Sequence, residues 1–200
     1  MINIFNKFFE KKYMLEKTSK MLDENVFWDI IDLSLKNTNN KDSQEIFLVK
    51  EIQKLSPEEI IGFRLRTDKL LYDTYNSEMW CAGYLMNGGC SDDGFEYFRN
   101  WVISRGKDTY YNAKNNSDSL ISEIADEDEY EYDFESFWYV ALTAFENKTG
   151  KELYDYISDD FKTNEGNYPQ FEFNWEEEKP ETMKSICPKL FEKFWNFKLV

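Results

Sequence analysis

Residues 86 to 106 read MNGGCSDDGFEYFRNWVISRG and hold the densest set of side chains able to do chemistry. If residues 92 to 105 are helical, Asp92 and Glu96 stand four apart on one face. With Asp93 beside them they would hold a hard divalent cation. The same residues also fit a plain helix start. Ser91 would cap it, Asp92 and Asp93 would complement the positive end of its dipole, and Gly88-Gly89 would close the helix before it. This second account uses every polar residue of the stretch and needs no ligand. Cys90 lies near the same helix start, a position that lowers a thiol pKa when exposed. With no histidine to act as its base, a buried small hydrophobe is its expected role. Arg99 follows Glu96 at a spacing that allows an internal pair.

A second cluster is the acidic, tyrosine-rich run DEDEYEYDFESFWY from Asp126 to Tyr139. Its first part, Asp126, Glu127, Asp128, Glu129, Tyr130, Glu131 and Tyr132, would suit the basic cleft of a partner enzyme. There the rings would supply rigid contact area and the carboxylates would steer the approach. The plainer reading is a solvated loop that becomes a helix at Asp133.

Histidine is absent from all 200 residues, which removes the usual general base, the usual partner of a nucleophilic Ser or Cys, and the commonest metal ligand. Triads and HExxH-type metal chemistry are excluded. Carboxylate chemistry, with or without a hard cation, or a lysine or tyrosine mechanism would remain. No lysine follows Gly88-Gly89 where a phosphate loop needs one, and no GxGxxG occurs. Cys81, Cys90 and Cys187 are odd in number and widely spaced, so neither a disulfide framework nor a paired-cysteine zinc site is implied. A reducing, cytoplasmic setting is expected. The opening residues MINIFNKFFEKKYMLEK are too interrupted by Lys and Glu for a signal peptide, and no apolar run is long enough to span a membrane.

The formal charge of −15 is concentrated: the segment from Asp118 to Glu181 carries 20 acidic and 4 basic side chains, and the remainder is near +1. Such a field repels nucleic acid and anionic membranes and draws basic proteins, most strongly at low salt.

The elements that must position these residues follow from periodicity and punctuation. With 17 Phe, 13 Tyr and 6 Trp against 8 Gly and 4 Pro, the chain favours helices packed on helices around an aromatic core. Residues 1–22 read as an appended amphipathic basic helix, with Phe5, Phe8, Phe9 and Tyr13 on one stripe, and residues 23–200 as a single domain. Helices are expected over about 25–35 and 43–54. A firm boundary comes next at Ser56-Pro57-Glu58-Glu59, where Ser56 caps, Pro57 suits the first helical position and Glu59 reaches back. The next helix extends to Leu85, bending before Met79. Residues 92–105 form another, with Phe95, Phe98, Trp101 and Val102 at helical intervals, and Gly106 ends that helix. A frayed helix over 107–116, a short one capped at Asn116 to Asp118, a helix from Asp133 to Gly150, a short strand at Gln170 to Phe173 and a helical pair around Pro188 complete the chain.

Trp80-x-Ala82-x-Tyr84-x-x-Asn87-Gly88-Gly89-Cys90-Ser91-Asp92-Asp93-Gly94-Phe95-x-Tyr97-Phe98-Arg99-x-Trp101, followed by Ser104-x-Gly106, resembles the central signature of the bacterial domain of unknown function 4240. The resemblance extends to Phe27-Trp28, to Leu55 through Ile60, to Ala141 with Thr149-Gly150, and to Cys187-Pro188-x-Leu190-Phe191. Two departures stand out. Asn116-Ser117 replaces an expected Asp-Pro, and the basic N-terminal helix is an addition. The resemblance implies no mechanism.

The fold expected is therefore mainly α, a single helical-bundle-like domain with an aromatic core and an irregular acidic C-terminal third. The function expected is a non-catalytic cytoplasmic protein-binding module, such as an immunity- or antitoxin-type inhibitor covering a basic enzyme, with no cofactor. Two alternatives stand beside it. One is a carboxylate metal-binding domain or enzyme using Asp92, Asp93 and Glu96 with a divalent cation, and the other is a scaffold assembling through the N-terminal helix.

Overall fold

The computed structural model describes residues 15–124 and 132–195, and within them the chain is mainly helical. Nine α-helices succeed one another there: α1 Glu24–Asn37, α2 Lys41–Ile52, α3 Pro57–Asp73, α4 Ser77–Met86, α5 Asp92–Ser104, α6 Lys107–Asn115, α7 Val140–Thr149, α8 Pro180–Ile186 and α9 Pro188–Phe194. Short 3₁₀ turns at Ser117–Glu123, Glu135–Tyr139, Leu153–Tyr156 and Glu165–Asn167 link the later elements. No described helix is long and apolar enough to cross a membrane.

The helix starts are set by their first residues. Ser56 Oγ accepts from the Glu59 amide at 3.2 Å while Glu59 Oε2 accepts from the Ser56 amide at 2.8 Å, closing the capping box, and Pro57 occupies the first turn. Those bonds hold the Glu59 carboxyl below its ordinary range. Asp23, Asn40, Asn76 and Ser91 cap α1, α2, α4 and α5 in the same way. Gly150, in the left-handed region at φ 67°, ends α7.

α3 lies at the centre, packed against α1, α5 and α7. Its Gly62 has no side chain for a reason of space: the Leu22 amide donates to the Gly62 carbonyl at 2.9 Å, and a Cβ on Gly62 would sit 2.8 Å from that same amide nitrogen. Arg66 fastens the same stretch of chain by donating from Nε and Nη2 to the Leu22 carbonyl. The far end of α3 is buried, and its last carbonyls take donors from other helices. Tyr110 Oη on α6 donates to Leu70 O at 2.8 Å, and Arg99 Nη1 on α5 donates to Leu71 O at 2.6 Å. The core around these bonds is aromatic, with Phe27, Phe63, Phe95, Phe98, Tyr110, Phe137 and Phe145 fully enclosed.

Three expectations are corrected. Residues 15–23 are not helical. Thr18 instead pairs in parallel with Ile157, its amide donating to Tyr156 O at 2.9 Å, because this segment runs along the chain beyond α7. The part of the expected N-terminal helix over 1–14 lies outside the described residues. Gln170 to Phe173 form no strand. Phe171 and Phe173 turn onto the Trp80 ring, 6.3 and 5.2 Å away, so packing rather than sheet pairing sets their backbone. The helix expected from Asp133 opens instead as the 3₁₀ turn Glu135–Tyr139 before α7.

Glu24 opens α1 and ties it to α6: Tyr111 Oη and, at 3.3 Å, Trp28 Nε1 donate to its Oε1, while Arg66 Nη1 stands 3.7 Å from Oε2. The Tyr111 bond, more than Trp28 or Arg66, holds the Glu24 carboxyl below its ordinary range. Burial and that carboxylate push Tyr111 up to about 12. A depressed carboxyl contributes stability above its unfolded pKa and loses it as pH falls through the folded value. Tyr111→Phe is therefore expected to destabilise at neutral pH, and its deficit against the wild type should shrink as pH drops below about 4. Urea melts at several pH values read this, and a deficit that grows on acidification would refute the assignment.

Gly62→Ala is expected to cost roughly 1–3 kcal/mol, since backbone rather than a flexible side chain must yield. Gly166→Ala, where a Cβ meets nothing within 4 Å, serves as the neutral control in the same melts.

Candidate functional site

The first cluster resolves into a helix start. Ser91 Oγ accepts from the Gly94 amide at 3.1 Å, Asp92 and Asp93 are exposed in the first turn of α5, and Phe95 and Phe98 anchor its other face in the core. Gly88 and Gly89 take φ of 68° and 155° after α4, values a side chain resists. Among the described residues no group of three or more His, Cys, Asp or Glu is placed to hold a metal ion. Burial pushes the Cys90 thiol up to about 12 against the opposing pull of Arg99, and its sulfur packs against Gly83. Arg99 itself is 1% exposed. Besides Leu71 O it donates from Nε to Phe95 O at 3.3 Å, and the rings of Phe95, Tyr168 and Tyr75 surround it at 4.4, 4.8 and 5.0 Å.

Of the second cluster, Asp126, Glu127, Asp128, Glu129, Tyr130 and Glu131 lie outside the described residues. Tyr132 is corrected: it is 1% exposed and belongs to the core, its ring 5.3 Å from Trp101 and 5.8 Å from Phe194. Its amide donates to Asn87 Oδ1 at 3.1 Å and its carbonyl accepts from Asn87 Nδ2 at 3.2 Å, so the residue after α4 clamps the end of the acidic run.

Beyond Tyr132 the chain is drawn against α5. The Phe134 amide donates to Tyr97 O at 2.9 Å, and Glu135 shares a hydrogen bond with the Tyr97 hydroxyl. Burial first, then the nearby carboxylates of Glu135 and Asp93, raises the Tyr97 hydroxyl above its ordinary range, and Tyr139 lies close enough to add to the effect. The structure thus brings Asp93 from the first cluster together with Glu135 and Tyr139 at the end of the second. Asp133 and Glu135 are exposed, and the Tyr139 ring is 49% exposed. Lys41 pairs with Asp133 at 3.0 Å. This acidic, aromatic face joins two stretches some forty residues apart. Its one sequence signal is that Asp93 and Tyr97 share a helical face at a spacing of four.

A cleft of about 520 Å³ opens beside it, floored by Arg64, Asp68 and Trp138 and walled by Tyr154, Phe161 and Lys162. The Arg64 guanidinium is 2% exposed. It bonds Asp68 Oδ1 at 2.7 Å and Trp138 O at 3.0 Å and lies 3.3 Å from the Trp138 ring centroid. Sequence reasoning missed this pair, whose trace was an Arg and an Asp four apart inside an otherwise apolar stripe. The pair compensates its own charge. The arrangement braces the Trp138 turn.

Ser91→Ala is expected to cost about 1 kcal/mol, the ordinary loss for a helix cap. Asp92→Asn with Asp93→Asn should cost a few tenths more at low salt through the helix dipole. Neither the parent nor the variants should change melting temperature with millimolar Mg²⁺, Mn²⁺ or Ca²⁺. A thermal shift in the parent that the double variant abolishes would restore a metal site.

Residues 22–147 match the family described as Protein of unknown function (DUF4240), while no curated protein and no solved structure matches the chain. The match covers α1 to α6, the turn carrying Trp138 and Tyr139, and most of α7. It stops before the 3₁₀ turn at Leu153–Tyr156, which carries Tyr154 of the cleft, and before α8 and α9. With more than half of its length matched, from the Leu22 segment through the Ser91 helix start to α7, the chain belongs to the DUF4240 family.

Proposed function

We propose that the protein is a non-catalytic cytoplasmic protein-binding module that presents an acidic, aromatic face to a basic partner, as an immunity- or antitoxin-type inhibitor does. The observation that carries this reading is the convergence of Asp93, Tyr97, Glu135 and Tyr139 on one face. Exposed tyrosine beside carboxylate is the composition that anchors such interfaces: the ring supplies rigid area and the charge steers the encounter. Tyr154 and Phe173, exposed by 49 and 52%, lie in the same acidic region of sequence between Asp118 and Glu181. The chemistry left to the chain also favours binding over catalysis. Histidine is absent, and Asp92 and Asp93 stand in the first turn of α5 beside its Ser91 cap.

The test pairs Glu135→Lys with Tyr139→Ala, both at exposed positions, so the variant should keep its stability within about 0.5 kcal/mol. Affinity capture at low salt from the cells that make the protein should recover a basic protein, and calorimetry should then show the double variant binding it at least about 30-fold more weakly. The parent's affinity should fall as salt rises. No specific partner at low salt, or a partner that binds the variant as tightly as the parent, would overturn the reading.

A further inference from the structure

Two buried thiols meet where the C-terminal helix pair docks on the family body. Cys81 lies in the middle of α4 and Cys187 caps the start of α9, and neither has any exposed surface. One carbonyl receives both residues: Met183 O on α8 accepts the Cys187 amide at 2.9 Å and the Cys81 thiol at 4.0 Å. Ser117 closes the other side. Its hydroxyl donates to Glu78 O, three residues before Cys81, at 3.0 Å and stands 3.6 Å from Cys187 Sγ. The two side chains are also close enough for Cys187 to affect the titration of Cys81. Cys90 is apart from this group, its sulfur placed against the position a Cβ on Gly83 would take.

We propose that Cys81 and Cys187 are a dithiol latch, which a small-molecule disulfide such as oxidised glutathione converts into a bond joining α4 to α9. The step balances as an exchange. One cysteine, deprotonated, attacks a sulfur of the glutathione disulfide, and the first glutathione leaves as thiolate and takes up a proton. The second cysteine, deprotonated in turn, attacks the protein sulfur of the mixed disulfide and expels the second glutathione, which also takes up a proton. Two protein thiols and one glutathione disulfide thus become one protein disulfide and two reduced glutathiones.

The pairing is long in sequence and short in space, which is where a crosslink constrains the unfolded chain most. It spans roughly a hundred residues and fastens a helix pair beyond the family-matched segment to a helix within it. The neighbouring Cys187 side chain and burial both push the Cys81 thiol up, so the closed protein exchanges slowly and the latch sets as the chain folds.

Refolding the full chain from denaturant in a glutathione redox buffer tests this. The expected product has lost two hydrogens by mass, yields a Cys81–Cys187 cross-linked peptide on digestion, and leaves Cys90 alkylatable. Its melting temperature should rise by roughly 5 °C or more over the reduced protein and return on reduction. Peptide mapping of the unsubstituted chain assigns the bond without relying on any variant's folding, and Cys187→Ser should abolish the shift. Two free thiols at Cys81 and Cys187 after refolding, glutathione adducts at both, or a crosslink that takes Cys90 instead would show that the pair is only core packing.

Discussion

The structure depends on the buried C-terminal end of α3. Helices leave their last carbonyls without partners in the helix, and a buried carbonyl left unpaired costs about 1–3 kcal/mol. α3 ends without a glycine, so other side chains supply the donors. Thr74 turns its hydroxyl back to Leu70 O at 3.0 Å, Tyr110 reaches the same oxygen from α6, and Arg99 reaches Leu71 O from α5. Two helices are thereby fixed in place and rotation by what α3 lacks. Burial and the nearby Asp73 carboxylate raise the Tyr110 hydroxyl far above its ordinary range, which keeps it a donor at any physiological pH. Arg99 brings a full charge into the core. The carbonyls of Leu71 and Phe95 and three ring faces stabilise it, a set that suits the delocalised guanidinium better than an ammonium.

The same constraint shapes the outer face. With Arg99 turned inward on α5, Tyr97, two positions earlier and so about 200° around the helix, is turned outward beside Asp93. Arg64 does the equivalent work for the neighbouring turn. Its bond to Trp138 O and its stack on the Trp138 ring hold that half-buried residue against α3, which leaves Tyr139 projecting. Burying the Arg64–Asp68 pair is not evidently stabilising in itself, because desolvation offsets most of the attraction. Its effect is geometric: a guanidinium held at both terminal nitrogens and stacked on the Trp138 ring admits few positions for the turn it holds. Two buried arginines on adjacent helices therefore set the relative placement of the residues proposed to meet a partner.

How far this was legible in sequence depended on the range of the interaction. Ser56-Pro57-Glu58-Glu59, the Gly88-Gly89 stop and the Ser91 start are local devices, since each is satisfied within five residues, and all three stand where their residues place them. The core stripes of α1, α3 and α5 were legible for the same reason. Asn76 carries an equally local signal, yet the expectation of one bent helix through Leu85 missed that Thr74 to Asn76 break it into α3 and α4. Contacts across the chain left no such trace. Tyr132 sits in a run of carboxylates and reads as surface, but Asn87 and Trp101 draw it inward. Phe171 and Phe173 alternate as in a strand, but they have Trp80 and Trp175 to cover and, among the described residues, no strand to pair with. Residues 15–18 read as helix because the Phe stripe ahead of them is periodic, whereas tertiary pairing with Ile157 holds them extended.

The division between core and charge also explains why acid can be concentrated in one region at small cost to folding. The buried polar demands of α3 are met by arginines, a tyrosine and a threonine, so the surface carboxylates are not needed to complete the core. Lys17 with Asp159, Lys41 with Asp133 and Lys179 with Glu176 are exposed pairs of the kind worth at most about 1 kcal/mol each. They neutralise only a small part of a region carrying 20 acidic side chains. The remaining repulsion is screened over about a Debye length at physiological salt. A field of that form costs the fold little and acts at long range on whatever approaches. For this reason the proposed role of the acidic face lies in steering and orienting a partner, while Tyr97 and Tyr139, whose positions the buried arginines fix, would supply the contact that holds it.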